Sequence, residues 1–191
     1  MKRIEQKIYT RQRILDAAGR GFRVGGFAGS GVDGMAKEAG VTSGAFYTHF
    51  ASKAEAFRAA VTLGMEDLKE GIRQFQAIHG SAWWPEFVRF YLGEKRQCAL
   101  SESCGLQSLA PEMARSDESS RADFESSLSE VVEIIVSGPV STGAPKNVEM
   151  ALMALATLAG AVTLCRAVND PIIVNKIVEA TERILSQKIS D

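Results

Sequence analysis

Apolar residues recur along most of the chain at the 3.6-residue spacing of helices, and no stretch alternates with the period of a half-buried strand. Ile14, Leu15, Ala18 and Phe22 share one face over residues 10–24, and Gly25 and Gly26 close that helix. A basic lead-in with Lys2, Arg3 and Lys7 precedes it, either as a disordered arm or as an extension of the helix. Val32, Met35, Ala36 and Ala39 fall at i, i+3, i+4 and i+7, which predicts a second helix. Ser30 is placed as its N-cap, with Asp33 as the acidic half of a capping box. Gly40 ends it, because glycine takes a left-handed backbone without a Cβ penalty. Thr42 then caps a short third helix that turns Val41, Phe46 and Phe50 inward. Ser52 and Glu55 form an S-x-x-E box opening a fourth helix, whose apolar face runs through Phe57, Val61, Met65, Leu68, Ile72 and Phe75.

The second half continues in the same period. Residues 79–81 break the pattern, and a helix carrying Trp83, Trp84, Phe87, Phe90 and Tyr91 follows, reaching about Gln97. A shorter helix spans residues 104–114 with Pro111 inside it, and Asp117 caps the next, which carries Phe124, Leu128, Val131, Val132 and Ile135. After a Gly/Pro/Ser-rich loop at 137–145, Pro145 suits the first turn of a helix that runs to Ala167 and is apolar almost all round. Asn169, Asp170 and Pro171 start the last helix, with Val174, Ile177, Val178, Thr181, Ile184 and Leu185 on one face. The expected fold is all-α with about nine helices: a three-helix head at residues 1–52 and a larger helical body at 53–191, joined through the fourth helix without a linker.

Two short helices joined by a tight glycine turn, the second with a small polar outer face, make a helix-turn-helix. The pieces Thr10-Arg11-x-x-Ile14-Leu15-x-Ala17-Ala18, Gly26-Phe27, Met35-Ala36-x-x-Ala39-Gly40-Val41 and Gly44-x-Phe46-Tyr47-x-His49-Phe50-x-Ser52-Lys53 stand in order. In these pieces residues 10–57 resemble the DNA-binding domain of the TetR family of bacterial transcriptional regulators. Gly19, Gly21 and Gly34 depart from the family pattern inside helices, as does Ala56, where leucine is usual. The resemblance implies a recognition helix in the major groove, with Thr42, Ser43, Gly44, Ala45 and Thr48 facing bases. It places Tyr47, His49 and Lys53 at phosphates, and Ser30 could donate to phosphate likewise. The base-facing set lacks arginine, asparagine and glutamine, so methyl contacts and DNA shape must carry more of the specificity than usual.

Net charge is −1, but its distribution is uneven. Residues 1–53 hold nine Lys/Arg against four Asp/Glu, while residues 54–191 hold thirteen against nineteen. A basic head on an acidic body suits a chain that touches phosphate at one end. Three cysteines with no C-x-x-C pair argue against a disulfide framework or zinc site and fit a reducing cytosol. The N-terminus lacks the apolar core of a signal peptide, and the longest uncharged run, residues 150–165, is short for a membrane span. The chain is expected to be soluble and cytoplasmic, with no membrane partner. Its two histidines lie thirty residues apart, and neither a metal-spaced cluster nor a nucleophile motif is present. No enzyme activity, catalytic residue, metal or cofactor is expected.

Four further expectations concern the body. The aromatic cluster either fills the core or lines a small-molecule cavity of the kind the resemblance implies, with Trp83, Phe87, Phe90, Tyr91, Cys104, Phe124 and Leu128 as the candidate effector pocket. Trp83 and Trp84 point about 100° apart on a helix, so one is expected inside and the other at a surface or interface. Cys104 begins a helix and is either a redox-sensing thiol or a buried small hydrophobe. The all-round apolar helix needs cover on both sides, which predicts a homodimer through Ala151, Leu155, Leu158, Val162, Ile177, Thr181 and Ile184. The function these features imply is a homodimeric regulator, expected to be a repressor, that leaves a palindromic double-stranded DNA operator when an unidentified small-molecule effector binds. The alternative is a helical module that binds a partner other than DNA.

Overall fold

A computed structural model describes residues 3–186, and Lys2 of the basic lead-in lies outside them. Nine α-helices and no strand occur among the described residues. They belong to two compact units: residues 1–64 with 99–124, and residues 65–98 with 125–191.

The first unit opens with α1 (Arg3–Gly29), which begins well before residue 10, so the lead-in extends the helix. The helix also continues past the glycine pair expected to end it. Gly26 alone leaves helical geometry, at φ 65° and ψ −177°, and the chain kinks there and resumes. The short α2 (Val32–Glu38) and α3 (Ser43–His49) follow, then the first turns of α4 (Lys53–His79). Ile14, Ala17, Ala18 and Phe22 of α1 pack against Met35, Ala36, Phe46 and Phe50. Ala56, Phe57, Ala60 and Val61 join the same core, which is why the compact unit extends to residue 64, beyond the expected boundary at 52. The rings of Phe22 and Phe27 stack on each other and both meet Phe57 edge-on, with centroids 5.1 and 5.3 Å from it. From the second half of the chain, α6 (Gly105–Met113) adds Leu109 and Met113 to this core. Its cap, Cys104, is buried and uses its backbone carbonyl to accept from the Ser108 N–H at 3.0 Å.

The second unit contains the rest of α4, α5 (Trp83–Phe90), the rest of α7 (Glu118–Val136), α8 (Val148–Ala167) and α9 (Pro171–Ser186). A π turn at Tyr91–Lys95 prolongs α5, and Arg166 of α8 donates to the Lys95 and Cys98 carbonyls that its end exposes, each at 3.1 Å. Asn147 caps α8 by accepting from Met150 N–H at 2.9 Å, so Pro145 precedes the helix. Asp117 and Asp170 cap α7 and α9 as expected. α8 packs along α9 with Ala151, Leu155, Leu158 and Val162 inward. Its length and composition would also suffice to cross a membrane. The buried Lys69 of α4 lies between Glu66, at 2.6 Å, and Glu130 of α7.

Candidate nucleic-acid interface

The segment from residue 40 to 53 is fixed by backbone bonds and by two rings. Gly40 has φ 66°, and its N–H donates to the Lys37 carbonyl at 3.0 Å while Val41 N–H donates to Ala36 at 2.9 Å. This pair of bonds is the Schellman end that glycine permits. Arg13 of α1 donates to the Ala39 carbonyl at the same corner. Thr42 Oγ1 accepts from Ala45 N–H at 3.2 Å and so starts α3. Phe46 and Phe50 are fully buried with ring centroids 5.7 Å apart, which anchors the inner face of α3. At the far end Ser52 Oγ accepts from Glu55 N–H at 3.1 Å, the first half of the capping box, while the Glu55 carboxylate reaches one residue beyond the cap and accepts from Ala51 N–H at 2.7 Å.

With its inner face anchored, α3 presents Thr42, Gly44, Tyr47 and Thr48 to solvent, with Ser43, Ala45 and His49 half-buried beside them. The Tyr47 ring is 54% exposed and touches Phe46 edge-on, so the phenol projects outward from a held ring. Much of the hydroxyl chemistry here is already committed. Thr48 Oγ1 donates to the Gly44 carbonyl at 3.1 Å, and Ser43 Oγ donates to the Asp33 carboxylate of α2. Asp33 therefore steadies α3 across the turn and is not the capping-box partner of Ser30.

Ser30 departs from expectation altogether. It is buried and donates to the Gly21 carbonyl at 2.7 Å, so it closes the Gly26 kink and is unavailable to a phosphate. Gly31 takes the N-cap position of α2, without a side-chain bond. Lys53 lies half-buried with its ammonium 4.6 Å from the Phe27 ring centroid, which holds it at the start of α4. His49 is held below the ordinary histidine range, first by burial and then by the nearby cations Lys7 and Arg11. Its Nδ1 is buried with no hydrogen-bond partner. Sequence reading left Arg11 out of this site. The Arg11 guanidinium sits 4.5 Å from the Phe50 centroid, and the signal was its helical spacing from Ile14 and Ala18.

Residues 14–60 match the family model described as bacterial regulatory proteins of the tetR family. The chain carries a TetR-family head. A 52-residue stretch is 46% identical to the HTH-type transcriptional regulator SrpR of Pseudomonas putida, covering 27% of this chain and 24% of that protein. In that match the chain spans about a quarter of its relative's length. The fold is shared much more widely. A TetR-family transcriptional regulator from Agrobacterium tumefaciens matches over 93% of this chain and 97% of its own, with a TM-score of 0.72 at 18% identity. The regulator FadR from Bacillus subtilis, solved in complex with stearoyl-CoA, matches over 94% and 99%, with a TM-score of 0.65 at 18% identity.

Outside the TetR-type head, the expected pocket residues do not form one group. Trp83 and Trp84 are both 0% exposed, which corrects the expectation that one would reach a surface. Trp83 Nε1 donates to the Pro139 carbonyl at 2.8 Å and Trp84 Nε1 to the Leu185 carbonyl at 2.9 Å, so α5 is covered on two sides. Phe87 and Tyr91 continue that buried ring series, whereas Phe90 packs on Phe75 with centroids 5.1 Å apart. Cys104 and Phe124 belong to the first compact unit. Leu128 lines an open groove of about 580 Å³ between α7 and α8, together with Val132, Val136, Val148 and Leu152 and rimmed by Glu125 and Glu133.

The expected dimer set also divides. Ala151, Leu155, Leu158, Val162 and Thr181 are buried within their own unit, so a partner cannot reach them. Ile177 is half-buried and Ile184 exposed. The outward apolar face of α8 is carried instead by Leu152, Met153, Ala156, Gly160 and Leu164, and that of α9 by Ile173, Ile177, Ala180 and Ile184.

Proposed function

We propose that the chain is a DNA-binding transcriptional regulator that works as a cytoplasmic homodimer. In this reading it represses by holding a palindromic operator, and a small molecule releases it. One observation carries the DNA reading: α3 is anchored by Phe46 and Phe50 and turns Gly44, Ala45, Tyr47 and Thr48 outward from a head of net positive charge. A helix so mounted enters a major groove with its first turns at the base edges, and Tyr47 and Lys53 flank it at phosphate positions.

The dimer is supported by the exposed stripes of α8 and α9, which are too continuous to stand in water unpartnered. Small residues at Ala156 and Gly160 let a second copy approach closely. Release by a small molecule is supported by the fold shared with FadR and by the α7–α8 groove, whose volume suits a drug-sized compound. Coupling between such sites is typically about 1–3 kcal/mol.

The test selects bound sites from random duplex DNA with the full chain, then screens metabolites for release. A palindromic consensus is expected, with affinity falling steeply as salt rises. Tyr47→Phe should weaken binding to all sequences about equally. Binding that is absent, or indifferent to salt and sequence, would refute the reading.

A further inference from the structure

The first three turns of α1 overhang the core of their own unit. Ile14, Ala18 and Phe22 are buried along one side of the helix, and stepping back from them at helical spacing leads to Arg11, Lys7 and Arg3. These three cations therefore prolong the inward face of α1 beyond the point where the core stops. Ile4 and Ile8, beside them, are 74% and 65% exposed. The overhang points towards α3. Arg11 lies 4.5 Å from the centroid of Phe50, the residue that closes α3, and the fields of Lys7 and Arg11 both reach His49 on its last turn. Four-residue spacing sets the cations roughly 6 Å apart along the helix. None of them falls within residues 14–60, the part that matches the family model.

We propose that Arg3, Lys7 and Arg11 form a second phosphate-binding stripe that grips the DNA backbone beyond the segment that α3 reads. This inference rests on the DNA-binding reading above and adds a contact to it. A basic stripe beside exposed isoleucines would also suit an anionic membrane. DNA is favoured because the stripe runs into the end of α3, so that one strand could pass from Tyr47 and His49 onto Lys7. Phosphate contacts of this kind carry no base information, so the stripe contributes affinity and not sequence preference.

The experiment uses the full chain and the double variant Arg3→Ala with Lys7→Ala, which spares Arg11 because that side chain packs on Phe50. Binding to a selected site and to random duplex is measured between 50 and 200 mM salt. Each lost phosphate contact should lower the slope of log affinity against log salt by about 0.9. Losing two per protomer, four in the homodimer, should thus shrink the salt-induced fall over that range by roughly a hundredfold, with the ranking of sites unchanged. Thermal unfolding of the variant should match that of the unaltered chain. A second variant, Lys7→Glu, should weaken both duplexes further. If the double variant binds both duplexes with unaltered affinity and slope while Tyr47→Phe still weakens them, the stripe is refuted and the DNA reading survives. If the unaltered chain binds no duplex, both fail together. Vesicles of phosphatidylserine and phosphatidylcholine provide the other arm: binding to them that the double variant loses, with DNA affinity unmoved, assigns the stripe to a membrane and overturns the proposal.

Discussion

Gly40 is the residue on which the aim of α3 depends, and its replacement by alanine can be worked out from the structure. At φ 66° an L-residue meets a penalty of about 1–2 kcal/mol for the left-handed backbone. The added Cβ would also overlap Arg13 Nη2, closer than real atoms approach. Arg13 is the flexible partner, so it would swing away and give up its bond to the Ala39 carbonyl. A bond from a charged donor contributes about 1.5–3 kcal/mol, less here because Arg13 is only half-buried. Gly40→Ala should therefore cost about 2–4 kcal/mol in all. In an Arg13→Ala background only the backbone part remains, about 1–2 kcal/mol.

Urea unfolding followed by circular dichroism measures each corner of this cycle, provided the slope with denaturant stays constant. Gly34→Ala supplies a control of opposite sign. Gly34 lies inside α2 with nothing within 4 Å of an added Cβ, so alanine there should stabilise by about 0.5–1 kcal/mol. A Gly40→Ala cost below about 0.5 kcal/mol would refute the left-handed turn. An equal cost with and without Arg13 would refute the overlap while leaving the turn intact.

Three other predictions test separate parts of the chain. Removing both carboxylates that hold buried Lys69, by Glu66→Gln with Glu130→Gln, should cost about 3 kcal/mol in urea unfolding, whereas Lys69→Met should stay within about 1.5 kcal/mol because it leaves no unpaired buried charge. The folded chain resists protonation of His49, through burial first and the Lys7 and Arg11 charges next. The unfolded chain thus binds more protons as pH falls through the ordinary histidine range; stability should be full above it and decline below, and His49→Gln should flatten that decline. For the dimer, Ile177→Glu with Ile184→Glu should give folded monomers by sedimentation, whereas Leu155→Glu should unfold the unit that buries it; a stable dimer of the Ile177 and Ile184 variant would refute the outward face.

Helix positions and most of their ends were legible because they are local. Thr42, Ser52, Asp117 and Asp170 cap where their spacing to the following apolar run places them, and Gly40 ends α2. What escaped was set by contacts between distant segments. Ser30 has the spacing of an N-cap, yet the Gly26 kink brings the Gly21 carbonyl within reach and the hydroxyl turns inward. The reading of Trp83 and Trp84 assumed that α5 has one covered side, but the Pro139 loop and the end of α9 cover both. No local pattern assigns Leu109 and Met113 to the head core, because α6 follows α3 by more than fifty residues. The face of α8 was ambiguous for a different reason: a helix apolar all round has no polar side to mark what is outside, so Leu155 and Leu152 could not be told apart until α9 was in place.

The outer face of α3 yields a last prediction, about how a helix without long polar readers would discriminate bases. Thr42 Oγ1 is occupied by its cap, Thr48 donates to Gly44 and Ser43 donates to Asp33. Ser43 and Thr48 therefore have no proton left to offer a base and can only accept. Thr42 and Thr48 are exposed and Ala45 half-buried, so methyl groups are what these residues have left to offer, and their natural partner in a major groove is the thymine methyl. Two substitutions at Thr48 separate these contributions. Thr48→Val keeps the methyl and removes the hydroxyl, while Thr48→Ser does the reverse. If methyl contact carries the preference, Thr48→Ser should reorder the selected sites, weakening those with thymine opposite the helix by about 1 kcal/mol, and Thr48→Val should leave the order alone. The opposite pattern, with Thr48→Val reordering the sites and Thr48→Ser silent, would mean that the Thr48 hydroxyl leaves Gly44 on binding and reads a base directly.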